Sequence, residues 1–266
     1  MMKRFIRVAI LLCVVTVLLS ALSLKTVEAK ATPSSWKGFQ NRFSSTSCGT
    51  WNVVPSPTNP NGSSGLSGVA AVSASDVWAV GGSGSQLGGG QTQIDHWNGA
   101  QWQIVQSPSP SARYNTLYGV AAVSATNVWA VGLDVNTSQV TQTLIEHWNG
   151  THWSVVKSPS PGSGDELRAV AVVSGGDVWA AGYSINSSTI KTLVEHWNGT
   201  SWQVVKSPNV GTSPGFSGVA AVSASDVWAV GSDNTTQSMQ TLTEQWNGTQ
   251  WSVVKSPSPG KRGLEA

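Results

Sequence analysis

Thirteen of the fourteen tryptophans fall into three interleaved series. One runs Trp51, Trp102, Trp153, Trp202 and Trp251, at spacings of 51, 51, 49 and 49 residues. Trp78, Trp129, Trp179 and Trp228 form the second, and Trp97, Trp148, Trp197 and Trp246 the third. Only Trp36 stands outside. A period near 50 residues makes this a repeat protein, whose units bury a continuous core only by stacking on their neighbours.

Each unit holds four short segments of strand character. The first is Gly-Val-Ala-Ala-Val-Ser at 68–73, 119–124 and 218–223, with Ala-Val-Ala-Val-Val-Ser at 169–174. The second is Val-Trp-Ala-Val-Gly at 77–81, 128–132 and 227–231, or Val-Trp-Ala-Ala-Gly at 178–182. The third ends as Leu144-Ile145-Glu146-His147-Trp148 does, and the fourth as Trp-Ser-Val-Val-Lys-Ser-Pro does at 153–159 and 251–257. Val, Ile and Trp suit a pleated surface, while Gly, Pro and Asn cluster between the segments. Asn-Gly inside Trp197–Trp202 signals a hairpin whose two turn residues tolerate positive φ. Ser73-Ala74-Ser75-Asp76 reads as a turn in which the aspartate bonds its own downstream backbone. Helical periodicity is absent after the first thirty residues. Four antiparallel strands per unit predict an all-β protein, a β-propeller of about four blades.

A second strand ending in glycine, a third ending in an aromatic and a tryptophan a few residues later are Gly81, Trp97 and Trp102 here, with equivalents in each later unit. This pattern resembles the kelch blade of galactose-oxidase-like propellers over roughly residues 51–257, although the kelch double glycine survives only at Gly81-Gly82. A weaker resemblance is to bacterial propellers related to photosystem II assembly factors. Both resemblances imply a propeller. Fourth-strand motifs occur five times, beginning at Trp51, but the first three strands only four times. Four blades in an approximately closed ring is the expectation, with Trp51–Pro57 outside it; an arc is the alternative.

The expected organisation is a signal peptide at 1–29, a linker at 30–50, repeats at 51–257 and a tail at 258–266. Lys3, Arg4 and Arg7 precede an almost wholly apolar Val8–Leu24, and Val27-Glu28-Ala29 offers small residues before a cut at Lys30. An uncleaved anchor is the competing reading, with an apolar stretch at the short end of the roughly 17–25 residues a span needs. Export predicts a secreted or cell-surface protein. The leader takes four cations with it, so the remainder holds 11 Lys plus Arg against 12 Asp plus Glu. Without a cluster of positive charge, nucleic-acid binding is set aside. Cys13 departs with the leader, and Cys48 is left without an intramolecular partner.

Some connections keep their length in every unit and others vary. The one-to-two and three-to-four turns are constant; the two-to-three loops and inter-blade connections differ, and in an up-and-down blade these emerge together on one face. Loops on a rigid scaffold carry function, so that face is the candidate binding surface. Just before strand one stand Ser67, Tyr118, Arg168 and Ser217, expected near the mouth of a central channel, with Arg113, Tyr114, Asp165 and Glu166 in the same connections. Arg113, Tyr114, Tyr118, Asp165, Glu166 and Arg168 are therefore the candidate ligand-binding residues, suited to a sugar or a peptide.

No residue is assigned a catalytic role, and no metal or cofactor is expected. His96, His147 and His196 recur at equivalent places on different blades, too far apart for one ion whose ligands all lie within about 2.3 Å of it. Asp95, Glu146, Glu195 and Glu244 fail as a glycosidase pair for the same reason. The tyrosine–copper chemistry of galactose oxidases lacks its residues here. Three readings stand: an exported binding module for an extracellular protein or glycan; a hydrolase or lyase using Tyr118, Arg168 and a nearby carboxylate; or a structural envelope protein that self-associates if the ring is open.

Overall fold

The computed structural model describes residues 52–58, 62–85, 89–234 and 239–257. The leader at 1–29, the linker with Cys48, Trp51 and the tail at 258–266 lie outside them. All sixteen strands belong to the compact unit Pro55–Ala266. Blade 1 is β1 (Gly62–Ser73), β2 (Asp76–Ser85), β3 (Gly90–Trp97) and β4 (Trp102–Val105). Blade 2 is β5 (Tyr114–Ser124), β6 (Asn127–Val135), β7 (Thr141–Trp148) and β8 (Trp153–Val155). Blade 3 is β9 (Gly164–Ser174), β10 (Asp177–Asn186), β11 (Thr189–Trp197) and β12 (Trp202–Val204). Blade 4 is β13 (Pro214–Ser223), β14 (Asp226–Asn234), β15 (Met239–Trp246) and β16 (Trp251–Val253). Each is an antiparallel meander in sequence order, as a propeller blade requires.

The hydrophobic core lies between blades rather than inside them. Trp78, Val80 and Ile94 of blade 1 join Leu117, Val120, Val128, Ala130, Leu144 and Trp153 of blade 2. Trp129, Val131 and Ile145 of blade 2 meet Leu167, Val170, Val178, Ala180, Leu193 and Trp202 of blade 3 in the same way. Trp179, Ala181 and Val194 repeat the arrangement against Phe216, Val227, Ala229, Leu242 and Trp251 of blade 4. At each junction the second-strand indole sits over two tryptophans of the next blade, as Trp78 does at 5.0 Å from Trp148 and 5.4 Å from Trp153.

Inner strands pack β1 on β5, β5 on β9 and β9 on β13, and no fourth junction of that kind joins β13 back to β1 among the described residues. The expected approximately closed ring is therefore not seen; the four blades form an arc. Closure requires the rotation of every junction to add up to a full turn, and that angle is set by tertiary packing.

Strand one begins earlier than its Val-Ala-rich half suggests, so Tyr114, Asp165, Glu166 and Arg168 lie within strands rather than in connections. The extension contains a β-bulge in every blade, leaving Ser67, Tyr118, Arg168 and Ser217 as the residues without a ladder partner. The bulge drives a carbonyl onto the glycine that ends the second-strand motif. A Cβ at Gly81, Gly132, Gly182 or Gly231 would overlap the backbone oxygen of Gly65, Thr116, Glu166 or Gly215. The repeat's glycine is thus required by close approach.

Three side-chain devices hold the turns and edges. In Asn-Gly turns only the glycine has positive φ, as at Gly99 (92°), while Asn98 Oδ1 accepts from Ala100 N and Gln101 N at 3.0 Å. The one-to-two turn is held by a serine: Ser75 N donates to Ser73 Oγ at 3.2 Å. The aspartate expected there instead reaches across the blade, Asp76 Oδ1 meeting His96 Nε2 at 2.8 Å. Thr143 of strand three bonds Ser158 Oγ and the Pro159 carbonyl at 2.7 and 2.8 Å, which explains the recurring Ser-Pro after strand four.

Gly132→Ala is expected to destabilise the protein by about 1–3 kcal/mol, the usual cost of overpacking, read from urea unfolding. Gly65→Ala, whose Cβ would meet open space, should change stability by less than about 0.5 kcal/mol. Equal effects would remove the close-approach account.

Candidate functional site

The bulges at Tyr118 and Arg168 lie on neighbouring inner strands, β5 and β9, and the structure brings these two side chains together. The Arg168 guanidinium carbon stands 5.1 Å from the centre of the Tyr118 ring and 5.7 Å from that of Tyr183. Both distances fall within cation–π range. Arg168 Nε pairs with Glu166 Oε1 at 2.5 Å, and the Tyr183 hydroxyl donates to Glu166 Oε2 at 2.6 Å. Glu166 is buried, whereas 42% of the Arg168 side chain stays exposed. The result is a guanidinium held from beneath by a carboxylate and flanked by two aromatic rings. Burial, reinforced by the Glu166 charge, pushes the Tyr118 phenol up to about 12, so Tyr118 keeps its proton at ordinary pH.

Sequence reasoning identified Tyr118, Glu166 and Arg168 but missed Tyr183. The signal was the hairpin register: Tyr183 is paired with Glu166 across β9 and β10, so the two side chains share a face. The equivalents of Tyr183 are Gly82, Leu133 and Ser232, a position with no repeating character. Tyr114 is exposed at the start of β5, its ring against Gly90 of blade 1. Arg113 is exposed beside it, and its carbonyl accepts from Gly90 N at 3.2 Å. Asp165 does not face the cluster; it is fully buried and accepts from Gly162 N at 2.8 Å, which fixes the turn into β9. Ser67 and Ser217 occupy the corresponding bulges of the blades on either side and bring neither an aromatic ring nor a charge of their own to the cluster.

The placement also differs from the expected mouth. Start of strand one and end of strand two pair with each other, as Tyr114 does with Val135, so connections and two-to-three loops do share one end of the blade. Tyr118 lies four residues in from that end, roughly 13 Å along the strand at about 3.3 Å per residue. A separate cleft of about 720 Å³ opens at blade 2, with Asp134, Asn136, Gln142 and Lys157 in its wall. None of Tyr118, Glu166, Arg168 or Tyr183 lines it.

The recurring histidines are fastened within their blades. His96, His147 and His196 lie against Trp78, Trp129 and Trp179 at 4.2, 4.2 and 4.1 Å. Each also bonds the residue that opens strand two, Asp76, Asn127 or Asp177, at 2.8–2.9 Å. In blade 4, Gln245 Nε2 donates to Asp226 instead, at 2.9 Å. Among the described residues no three His, Cys, Asp or Glu side chains gather as a metal site would require.

No protein-family model matches the chain, and no curated protein does. Solved structures similar to it include a Hadza microbial sialidase, at 13% identity and a TM-score of 0.49 over 72% of this chain and 45% of that one. The fucose-specific lectin from Aleuria aurantia is similar at 15% identity and 0.47, over 79% of this chain and 68% of the lectin. Fructan 1-exohydrolase IIa from Cichorium intybus is similar at 6% identity and 0.46, over 74% and 44%. The chain spans less than half the length of the sialidase and the fructan hydrolase.

Asp95, Glu146, Glu195 and Glu244 are fully buried, one on the third strand of each blade. Burial raises their carboxyls to about 6, 8, 9 and 7 respectively. For Glu195 the folded chain holds a proton that the unfolded chain releases, so this contribution is full below about pH 4.5 and is lost as pH rises towards about 9. Each pH unit in that window changes stability by up to about 1.4 kcal/mol, a shift of up to about 3–6 °C in Tm. Glu195→Gln should flatten this slope, gaining on the parent protein between acid and alkaline melts. Parallel curves would contradict the assignment.

Proposed function

We propose that this chain is an exported, kelch-like propeller module that binds glycans without chemical turnover, through the Tyr118–Arg168–Tyr183 surface between blades 2 and 3. The observation that carries the reading is Arg168, exposed between two aromatic rings yet fixed by buried Glu166. Aromatic faces stack on the C–H faces of a sugar ring. A pre-positioned guanidinium offers a planar fork of donors to ring hydroxyls and, more strongly, to a sugar carboxylate. Tyr114 and Arg113 extend the same surface towards the loop end of β5. Acidic glycans are the ligand class this chemistry fits best.

The same groups support binding over catalysis. A lyase mechanism would use Tyr118 as a base, and its phenol is pushed the wrong way for that role. Glu166, the nearby carboxylate, has both oxygens engaged by Arg168 and Tyr183.

Retention on an array of neutral and acidic glycans, followed by calorimetry, tests the reading. Arg168→Ala is expected to weaken binding tenfold or more, since a hydrogen bond to a charged group contributes about 1.5–3 kcal/mol. Tyr118→Ala should do the same without changing the class of glycan bound. Gln101→Ala, in an exposed three-to-four turn, should leave binding intact. Failure of the parent protein to retain any glycan, or undiminished retention by Arg168→Ala, would overturn it.

A further inference from the structure

The three interior junctions use one set of positions, and among the described residues blades 1 and 4 each carry half of that set without its partner. The trailing half is the second-strand tryptophan, the residue two further on, and an apolar residue of strand three: Trp78, Val80 and Ile94, then Trp129, Val131 and Ile145, then Trp179, Ala181 and Val194. Blade 4 continues the series with Trp228, Val230 and Thr243. Val230 is 48% exposed where Val80 and Val131 are 0%. Trp228 is half-buried where the other three indoles are 2% exposed. A Cβ at Gly68 or Gly119 would meet the backbone of the following blade, at Tyr118 O or Ala169 Cα; at Gly218 the only neighbour is Val230 of its own blade.

Three members of the leading half, Leu66, Val69 and Trp102, are more exposed at the other end of the arc than their counterparts in the interior junctions. Val69 is 43% exposed where Val120 and Val170 are 9% and 8%. Leu66 is half-buried where Leu117, Leu167 and Phe216 are buried, and Trp102 is half-buried where Trp153, Trp202 and Trp251 are buried. Trp97 and Trp102 contact each other at 5.9 Å, and among the described residues no third indole lies over both as in an interior junction.

The geometry points to a second copy of this chain as the occupant: the trailing face of blade 4 in one copy seats the leading face of blade 1 in the next. Trp228 then takes the place over Trp97 and Trp102 that Trp78 takes over Trp148 and Trp153. The polar replacements agree with this pairing. Thr243 stands where the trailing halves have Ile94, Ile145 and Val194, and Gln93 stands where the leading halves have Leu144, Leu193 and Leu242. Ile145 and Leu193 belong to one cluster in the blade 2–3 junction, so the contact between copies sets polar against polar. Gln93 is buried within its own chain and donates to Asp95 at 3.1 Å, so this polar position is already satisfied before the copies meet. The contact is heterologous, and it closes into a ring or extends as a filament according to the rotation per junction. It is independent of the glycan reading, which concerns the blade 2–3 junction of a single chain.

Light scattering over a wide range of concentration reads the assembly. The purified protein is expected to form multiples of the chain mass. Val230→Asp blocks one end and Val69→Asp the other, and both positions are exposed within a single chain. Each variant alone should be monomeric, and an equal mixture should give a dimer with one copy of each, because one intact end of each kind remains. That complementation also shows that both variants fold. A parent protein that stays monomeric would overturn the proposal and leave Thr243 and Gln93 as polar caps of a free arc. Assembly by either variant alone, or no dimer in the mixture, would equally overturn it.

Discussion

The stack of a second-strand indole on the two tryptophans of the following blade is the contact on which the rest of the structure depends. A four-stranded meander this small has no interior of its own, and every buried cluster here lies between two blades. A tryptophan buries about 150–250 Å², so each of these indoles removes enough apolar surface from water to contribute roughly 4–6 kcal/mol before entropy is counted. The histidine on the indole's other side, tied to an aspartate or asparagine at the turn, fixes the plane in which the indole lies. Stability is therefore a nearest-neighbour property, and a blade with one neighbour carries an unfinished face.

The bulge follows from the same stacking. Blades crowd at their inner strands, where Gly68 and Gly119 bring backbone against backbone. Widening strand one by a residue at that level lets it twist past its neighbour, at the expense of pressing a carbonyl onto strand two, where only glycine fits. The unpaired residue of each bulge is turned out of the ladder. Where it is serine nothing comes of this; where it is Tyr118 and Arg168 on adjacent strands, the two side chains meet.

Most of the fold was legible because the chain compares itself with itself. The tryptophan series located the blades, the Asn-Gly turns located hairpins, and the alternation of Val and Ala located the inner strands. The missing parts share a physical cause, dependence on contacts distant in sequence. The first halves of β1 and β13 are rich in glycine and serine and have little strand propensity of their own; pairing with strand two makes them strands. Asp76 looked like a turn residue because its partner His96 is twenty positions away. Tyr183 escaped notice since its role exists only through register with Glu166. Closure was illegible for a different reason, being the sum of several junction angles that no single residue encodes.

The blades also supply an internal control on which residues the fold itself requires. At the bulge and the residue two before it, blades 1 and 4 have Ser67 with Gly65 and Ser217 with Gly215, and blade 2 has Tyr118 with Thr116. All four bulges form, so neither a charge nor an aromatic ring is needed to make one. Blade 3 nevertheless places Glu166 there, buried, together with Arg168 and Tyr183. Withdrawing the Glu166 carboxylate from water carries a desolvation cost that its partly exposed Arg168 partner offsets, and at this position the other blades have no carboxylate to withdraw. The bulge itself therefore does not require the cluster. What the arrangement does achieve is an Arg168 set against Glu166 and two aromatic rings with part of its side chain exposed, and it is on this difference from the other blades that the proposed glycan reading rests.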